Sequence, residues 1–331
     1  MITLLVSHNF HARFGGRIAE VASREGIPVE PLVLPADPAA RLSDMDCARL
    51  ETAFFSPDVF PEFSRQFFSA ARKAPQLKWL HVFNAGVDHP IYTEMLERGI
   101  RLTTSSGTAA VPIAQTAIMG LLALARGLPR WLAARDRREW SPATGTTAPR
   151  DLEGQSIVVL GMGKIGTQIA RLAKALGLHV IGVRRGPRKP DDPVDELHPP
   201  SALADLAPRC DWLVIACPLT PETRGLVNAQ LLARLPRGAH LINIARGEIA
   251  DEPAVIEALR SRHLAGAYLD VFATEPLPRE SPLWDLPNAI VTPHNAGASA
   301  GVEERILALF LGNLTRWYRG ESLVNEIPRP V

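Results

Sequence analysis

Three ionisable residues of different chemistry each stand just past an apolar run. Arg246 follows "HLINIA" (240–245), Glu275 lies shortly beyond "AGAYLDVF" (265–272), and His294 follows "AIVTP" (289–293). An arginine can pair with a carboxylate through two parallel hydrogen bonds and polarise a carbonyl. A histidine can give a proton to an alkoxide as it forms. A carboxylate beside that histidine favours the imidazolium and fixes the ring. The trio therefore suits carbonyl reduction. Each residue also has a plain reading, as a strand-end charge, an acid before Pro276 or a turn residue after Pro293. What joins them is their shared position at the carboxyl ends of apolar runs, where ligands bind in open α/β sheets.

A second constellation is "VVLGMGKIGTQIARLAKALG" (158–177), with Gly161, Gly163 and Gly166 in GxGxxG spacing around Met162, Lys164 and Ile165. The bare spacing is weak evidence. Here it follows an apolar strand and opens a helix whose Ile165, Ile169, Leu172 and Leu176 share a face, with Gly177 as a stop. Gly161 permits the tight turn, Gly163 lets a pyrophosphate reach the backbone, and Gly166 allows close helix–strand packing. The alternative is a glycine turn without a ligand.

The next apolar run ends at Val183 and leads into "RRGPRK" (184–189). Dinucleotide sites commonly place an acid at this point to hold the adenosine 2′-hydroxyl. Arg184 and Arg185 would instead favour a 2′-phosphate. The cofactor expectation is NADP(H), with NAD(H) possible; the alternative is a solvated arginine loop.

These residues need a scaffold. Apolar runs at 2–6, 31–34, 52–56, 77–82 and 100–104 alternate with helix-compatible stretches. After a long apolar helix over about Pro112–Leu124 and a Pro/Gly/Ser/Thr connection at 141–154, six more runs follow, at 156–160, 179–183, 211–216, 240–245, 265–272 and 288–292. This alternation predicts an α/β protein of doubly wound parallel sheets. The proline-rich stretch 186–200 reads as a loop, and about 299–319 as an amphipathic helix with Ile306, Leu307, Phe310, Leu311 and Leu314 on one face.

The 331 residues suffice for two domains with cores. At 46% apolar, 21% charged and net charge +1, the composition is that of a globular protein with no global field to draw nucleic acid or an anionic membrane. The N-terminus lacks a signal peptide's pattern, and "AIMGLLALA" (117–125) is too short to span a bilayer. Three cysteines, an odd number without CxxC spacing, suit reduced thiols in a cytoplasmic setting.

The chain resembles the D-isomer-specific 2-hydroxyacid dehydrogenases, which include glyoxylate/hydroxypyruvate reductases. The matching segments are "NAGVDH" (84–89), "VVLGMGKIG" (158–166), "CPLTPETRGLVN" (217–228), "INIARGEI" (242–249), "LDVFATEPLP" (269–278), "LPNAIVTPHNAG" (286–297) and "GNLTRWYRGESLVNEI" (312–327). The resemblance implies two Rossmann-like or flavodoxin-like domains with a cleft between them. A flavodoxin-like substrate domain would comprise 1–102 plus 298–331, with an NAD(P)-binding Rossmann domain at 103–297. It implies Arg246 as substrate-binding, Glu275 as the histidine's partner and His294 as acid/base. Gly86 and Val87 would offer amides to the substrate carboxylate, as in an anion nest. Lys164 and Ile165 would lie by the pyrophosphate, and Pro218 and Thr223 along the adenosine. Ile244, Ala245, Asp270 and Gly297 would lie near the nicotinamide, with Asp270 accepting from its carboxamide. It also implies a homodimer paired through the region around Trp140.

The expected activity is NADPH-favouring reduction of a small 2-oxoacid, glyoxylate or hydroxypyruvate leading. The alternatives are a dinucleotide-sensing interaction protein with little turnover and a formate- or phosphite-type dehydrogenase. No metal is expected: His8 and His11 are close, but nothing nearby completes a ligand set. Cys217 reads as a packing residue. Phe54, Phe55 and Trp284 could each line a substrate pocket or belong to core or interface.

Overall fold

The computed structural model describes residues 1–328; positions 329–331, the end of the expected segment 298–331, lie outside the described residues. The chain divides into two compact units. One is Met1–Thr108 with the segment that begins at Ala300, and the other is Ala109–Ser299. The expected break at 102/103 would have cut a strand, Arg101–Thr104, whose backbone pairs within the first unit.

In the first unit, β1 (Ile2–Val6), β2 (Val29–Val33), β3 (Thr52–Phe55), β4 (Trp79–Val82) and β5 (Arg101–Thr104) form one parallel sheet, ordered β2-β1-β3-β4-β5. All of β1, β3 and β4 is buried, as expected for parallel strands covered on both faces. Consecutive residues of β3 serve opposite layers. Phe54 stacks on Phe310 at 4.4 Å between ring centroids, while Phe55 packs among Phe67 and Phe68. Both are core residues, which settles their reading against a substrate-facing role; burying each contributes roughly 1.5–3 kcal/mol. The terminal helix Val302–Tyr318 buries the Ile306, Leu307, Phe310, Leu311 and Leu314 stripe that its periodicity predicts. Arg101 then ties the chain's end to β5 through two 2.6 Å hydrogen bonds to Glu326.

The second unit holds β6 (Ser156–Leu160), β7 (His179–Val183), β8 (Glu196–His198), β9 (Trp212–Ile215), β10 (Ala239–Asn243), β11 (Leu264–Leu269) and β12 (Ala289–Val291), ordered β12-β11-β10-β9-β6-β7-β8 and all parallel. The order reverses between β6 and β9, the switch point at which doubly wound sheets open a crevice beyond the strand ends. Six strands are predicted and seven are found. The extra one, β8, lies inside the stretch read as loop. It is a three-residue edge strand of half-buried Glu-Leu-His, too short and polar to give an apolar run.

The helix Ala110–Ala125 lies flat against β11. A Cβ on Gly120 would stand 2.4 Å from Cγ of Tyr268, so only glycine permits that approach. Among the described residues no single helix is long and apolar enough to cross a membrane.

Candidate active site

The glycine loop begins where β6 ends. Gly161 has φ +103°, and a Cβ there would meet the Cys217 backbone nitrogen at 2.5 Å. A Cβ on Gly166 would stand 1.9 Å from the Gly161 carbonyl oxygen. Both glycines are demanded by the protein's own packing. Gly163 is different: no atom lies within 4 Å of where its Cβ would be. It is the N-cap of helix Lys164–Ala175 and makes no side-chain capping bond. A helix start, whose first N–H groups have no acceptor within the helix, with open space over a glycine fits a pyrophosphate. Met162 packs beside Gly182, where a Cβ would approach its Cγ to 2.9 Å, and Ile165 packs into the core beneath the helix.

The Gly161 N–H donates to Val183 O at 2.9 Å, so Arg184 starts one residue from the glycine loop. Its guanidinium turns inward, however, onto Asp192 (Nη1–Oδ1 3.0 Å, Nη2–Oδ2 2.5 Å). Arg185 is exposed. On the β9 side, Thr223 Oγ1 donates to Pro218 O at 2.8 Å, so these two expected adenosine-side residues belong to one turn. Cys217 is buried, which pushes its thiol pKa up to about 11; it is a packing residue without nucleophile character.

At the end of β10, Asn243 folds the turn that carries Arg246. Its buried amide accepts from Ala245 N at 3.1 Å and donates to Arg246 O at 3.0 Å. Sequence reasoning missed this residue; the available signal was a polar side chain closing the strand directly after Leu241 and Ile242. Ile244 is buried against the sheet, and Arg246 Nη1 donates to Ala245 O at 2.8 Å. At Gly247 a Cβ would stand 1.9 Å from the Phe272 carbonyl carbon, so the turns after β10 and β11 are in backbone contact.

Phe272 N donates to Glu275 Oε1 at 3.0 Å, and Glu275 Oε2 meets His294 Nδ1 at 2.7 Å. A continuous series of contacts thus joins the Arg246 turn, Glu275 and His294. His294 has φ +50°, a conformation uncommon outside glycine and costly to hold. Asp270 supplies the restraint. Its carbonyl accepts from His294 N at 2.8 Å, and its carboxylate accepts from Thr292 Oγ1 at 2.6 Å and from Asn295 N and Ala296 N at 2.9 Å each. Asp270 is 2% exposed. In this structure its carboxylate anchors the histidine loop. Gly297 closes that loop beside Ala109 and Ile113. Trp284 is half exposed and donates from Nε1 to Pro278 O at 2.9 Å.

Gly86 and Val87 belong to the first unit, in the turn after β4. Asn84 Nδ2 donates to Gly86 O, and Tyr92 OH donates to Asn84 Oδ1 at 3.1 Å, which leaves the carbonyl side of the turn engaged. Burial pushes the Tyr92 hydroxyl up to about 12. Among the described residues no group of three or more His, Cys, Asp or Glu side chains could hold a metal ion.

Comparison with known proteins bears on the family and the fold. The family profile described as "D-isomer specific 2-hydroxyacid dehydrogenase, NAD binding domain" matches residues 118–296. A D-3-phosphoglycerate dehydrogenase of Methanocaldococcus jannaschii is 30% identical over 260 residues, 78% of this chain; the chain spans only about half of that relative (49%). Among solved structures, a D-isomer specific 2-hydroxyacid dehydrogenase from Xanthobacter autotrophicus Py2, in complex with NADPH and MES, superposes with TM-score 0.79 at 30% identity, covering 99% of this chain and 98% of that one. An NADPH-dependent glyoxylate/hydroxypyruvate reductase from Sinorhizobium meliloti, in complex with NADP and sulfate, superposes with TM-score 0.77 at 28% identity, covering 99% and 98%. A parallel sheet with a glycine loop at its switch point, a profile match over more than half the chain and full-length structural likeness lead to one assignment: the chain belongs to the D-isomer specific 2-hydroxyacid dehydrogenase family.

Proposed function

We propose that this protein is an NADPH-favouring reductase of small 2-oxoacids, with glyoxylate and hydroxypyruvate as the leading substrates. The observation that carries the reading is the 2.7 Å contact between Glu275 and His294 Nδ1, on a loop joined by backbone contact to the Arg246 turn. A reduced nicotinamide dinucleotide on the glycine loop would supply the hydride.

The protein's own groups account for the rest. Glu275 accepts from Nδ1 and so fixes which ring nitrogen faces it. Nε2 is then the atom left to give a proton to the carbonyl oxygen, and the imidazole keeps its Nδ1 proton afterwards. Arg246 would pair with the substrate carboxylate. The amides of the Gly86–Val87 turn are proposed as an anion nest, supported by the engagement of the Gly86 carbonyl with Asn84. Ile244, Ala245 and Gly297 are proposed to line the nicotinamide end, and Lys164, Pro218 and Thr223 the pyrophosphate and adenosine.

The substrate choice is supported by the relative that is a glyoxylate/hydroxypyruvate reductase. A homodimer is proposed through helices Ala110–Ala125 and Leu128–Asp136, where Met119, Leu128, Trp131 and Leu132 are exposed.

The test is steady-state reduction of a 2-oxoacid panel with NADPH and with NADH. Appreciable turnover of glyoxylate or hydroxypyruvate, faster with NADPH, is expected. Dinucleotide binding with no turnover on any member would instead mark a sensor, and oxidation of formate would move the reading to that chemistry.

A further inference from the structure

The residue type at 184 predicts a fork for a phosphate, but the structure gives that fork an occupant. Asp192 receives both Nη atoms of Arg184, and its Oδ2 also accepts from Lys189 N at 2.6 Å. Arg184 directs Nε to Gly186 O at 3.3 Å and a further N–H to Pro187 O. Four of its five N–H donors are therefore committed within the loop. The two side chains are 14% and 4% exposed. Burial alone would raise the Asp192 carboxyl; the Lys189 N–H and the Arg184 guanidinium outweigh it and hold the carboxyl below its usual range. Arg188 is also turned inward, onto Val194 O at 2.6 Å and Asp195 O at 3.2 Å. Arg185, by contrast, is exposed, and its charge reaches Glu222 in the turn that links Pro218 and Thr223.

We propose that Asp192 is a specificity-determining residue at the adenosine end of the site, an internal anion that occupies the Arg184 fork and leaves recognition of a 2′-phosphate to Arg185. The proposal rests on the dinucleotide reading above. Two anions compete for one guanidinium, and the one tethered eight residues away has the advantage of effective concentration. Asp192 also repels the incoming phosphate, since like charges at short range weaken binding. The preference for a phosphorylated ribose is then smaller than a run of four cations suggests.

The experiment is calorimetric titration of the full chain with 2′,5′-ADP and with 5′-ADP, which requires no turnover. Asp192→Asn keeps an acceptor for Lys189 N–H and removes the charge. It is expected to tighten 2′,5′-ADP binding about fivefold or more and leave 5′-ADP within about twofold. Arg185→Gln, at an exposed position that does not threaten folding, is expected to weaken 2′,5′-ADP alone by about tenfold. An Asp192→Asn protein with an unchanged or lowered ratio between the two ligands overturns the proposal, and so does Arg185→Gln with wild-type affinity for 2′,5′-ADP. Wild-type protein that binds neither nucleotide overturns the dinucleotide reading and this inference with it. Binding of both with a ratio deaf to these substitutions overturns only the inference.

Discussion

Glu275 Oε2 lies 2.7 Å from His294 Nδ1, and the other Glu275 oxygen accepts from Phe272 N at 3.0 Å. The carboxylate is thereby pinned from the chain behind it while it orients the ring in front. If His294 is the proton donor, His294→Ala should lower kcat by about 10²–10⁴ and leave dinucleotide affinity nearly unchanged. Glu275→Gln keeps the size of the side chain and should cost less, on the order of 10–100-fold in kcat. Steady-state kinetics beside a cofactor titration separates the two effects. Full turnover in His294→Ala would remove the histidine from the chemistry.

Asp270 and His294 are coupled through the loop rather than through side-chain contact. Three donors converge on the Asp270 carboxylate from Thr292, Asn295 and Ala296. In Asp270→Asn one acceptor becomes an N–H₂ that faces another donor, so a buried bond is lost and a like pair is created. The expected cost is about 1–3 kcal/mol of stability, read as a lowered Tm, together with a fall in kcat as His294 leaves its left-handed backbone conformation. An unaltered Tm would show that these bonds do not hold the loop.

The three glycines of the loop should separate by experiment. Gly161→Ala and Gly166→Ala introduce a Cβ into backbone atoms at 2.5 Å and 1.9 Å, so both should lower Tm. Gly163→Ala meets no protein atom within 4 Å and should fold as the wild type does. Its methyl group would instead stand where a pyrophosphate approaches, and dinucleotide affinity should fall at least about tenfold, or ~1.4 kcal/mol. If Gly163→Ala binds the dinucleotide normally, the phosphate lies elsewhere.

Why these features differed in legibility is a matter of range. β6 and β7 coincide with the runs at 156–160 and 179–183 because buried parallel strands are written as local apolar blocks. Arg246, Glu275 and His294 could be singled out as candidates because each follows the end of such a block, where ligands gather in open α/β sheets. β8 was not, since an edge strand of Glu-Leu-His takes its identity from pairing with β7. The Arg184–Asp192 pair was also hidden. Residue type gave a cation at 184, but its partner depends on how a proline-rich loop returns across eight residues. Asn243 escaped for a similar reason, and so did the loop-anchoring role of Asp270, because their side chains bond to backbone groups that carry no sequence signature.

His81 in β4 should shape the acid stability of the first unit. The ring is fully buried, with Nδ1 at 2.7 Å from Thr103 Oγ1 and Nε2 at 3.1 Å from Ser105 Oγ. Trp79 Nε1 donates to Thr103 Oγ1, and Ser105 Oγ donates to Val82 O. Thr103 is therefore left to donate to Nδ1, and Nε2–H to donate to Ser105, which is a neutral ring with every polar atom engaged. Burial pushes its pKa down from 6.5 to about 3. Between those values the unfolded chain holds a proton that the folded chain refuses. The stability owed to neutral His81 is thus complete above about pH 6.5 and is lost as pH falls toward 3, at up to ~1.4 kcal/mol per pH unit. In His81→Gln the proton site is gone, so the stability gap between wild type and variant should narrow as pH drops from 7 to 5. The Glu196 carboxyl, held down to about 2 by Arg209, His179 and His198, stays charged in the fold throughout that window. Urea unfolding of both proteins at several pH values reads the gap directly, and a gap that stays constant would mean His81 takes up its proton as readily in the fold as in the unfolded chain.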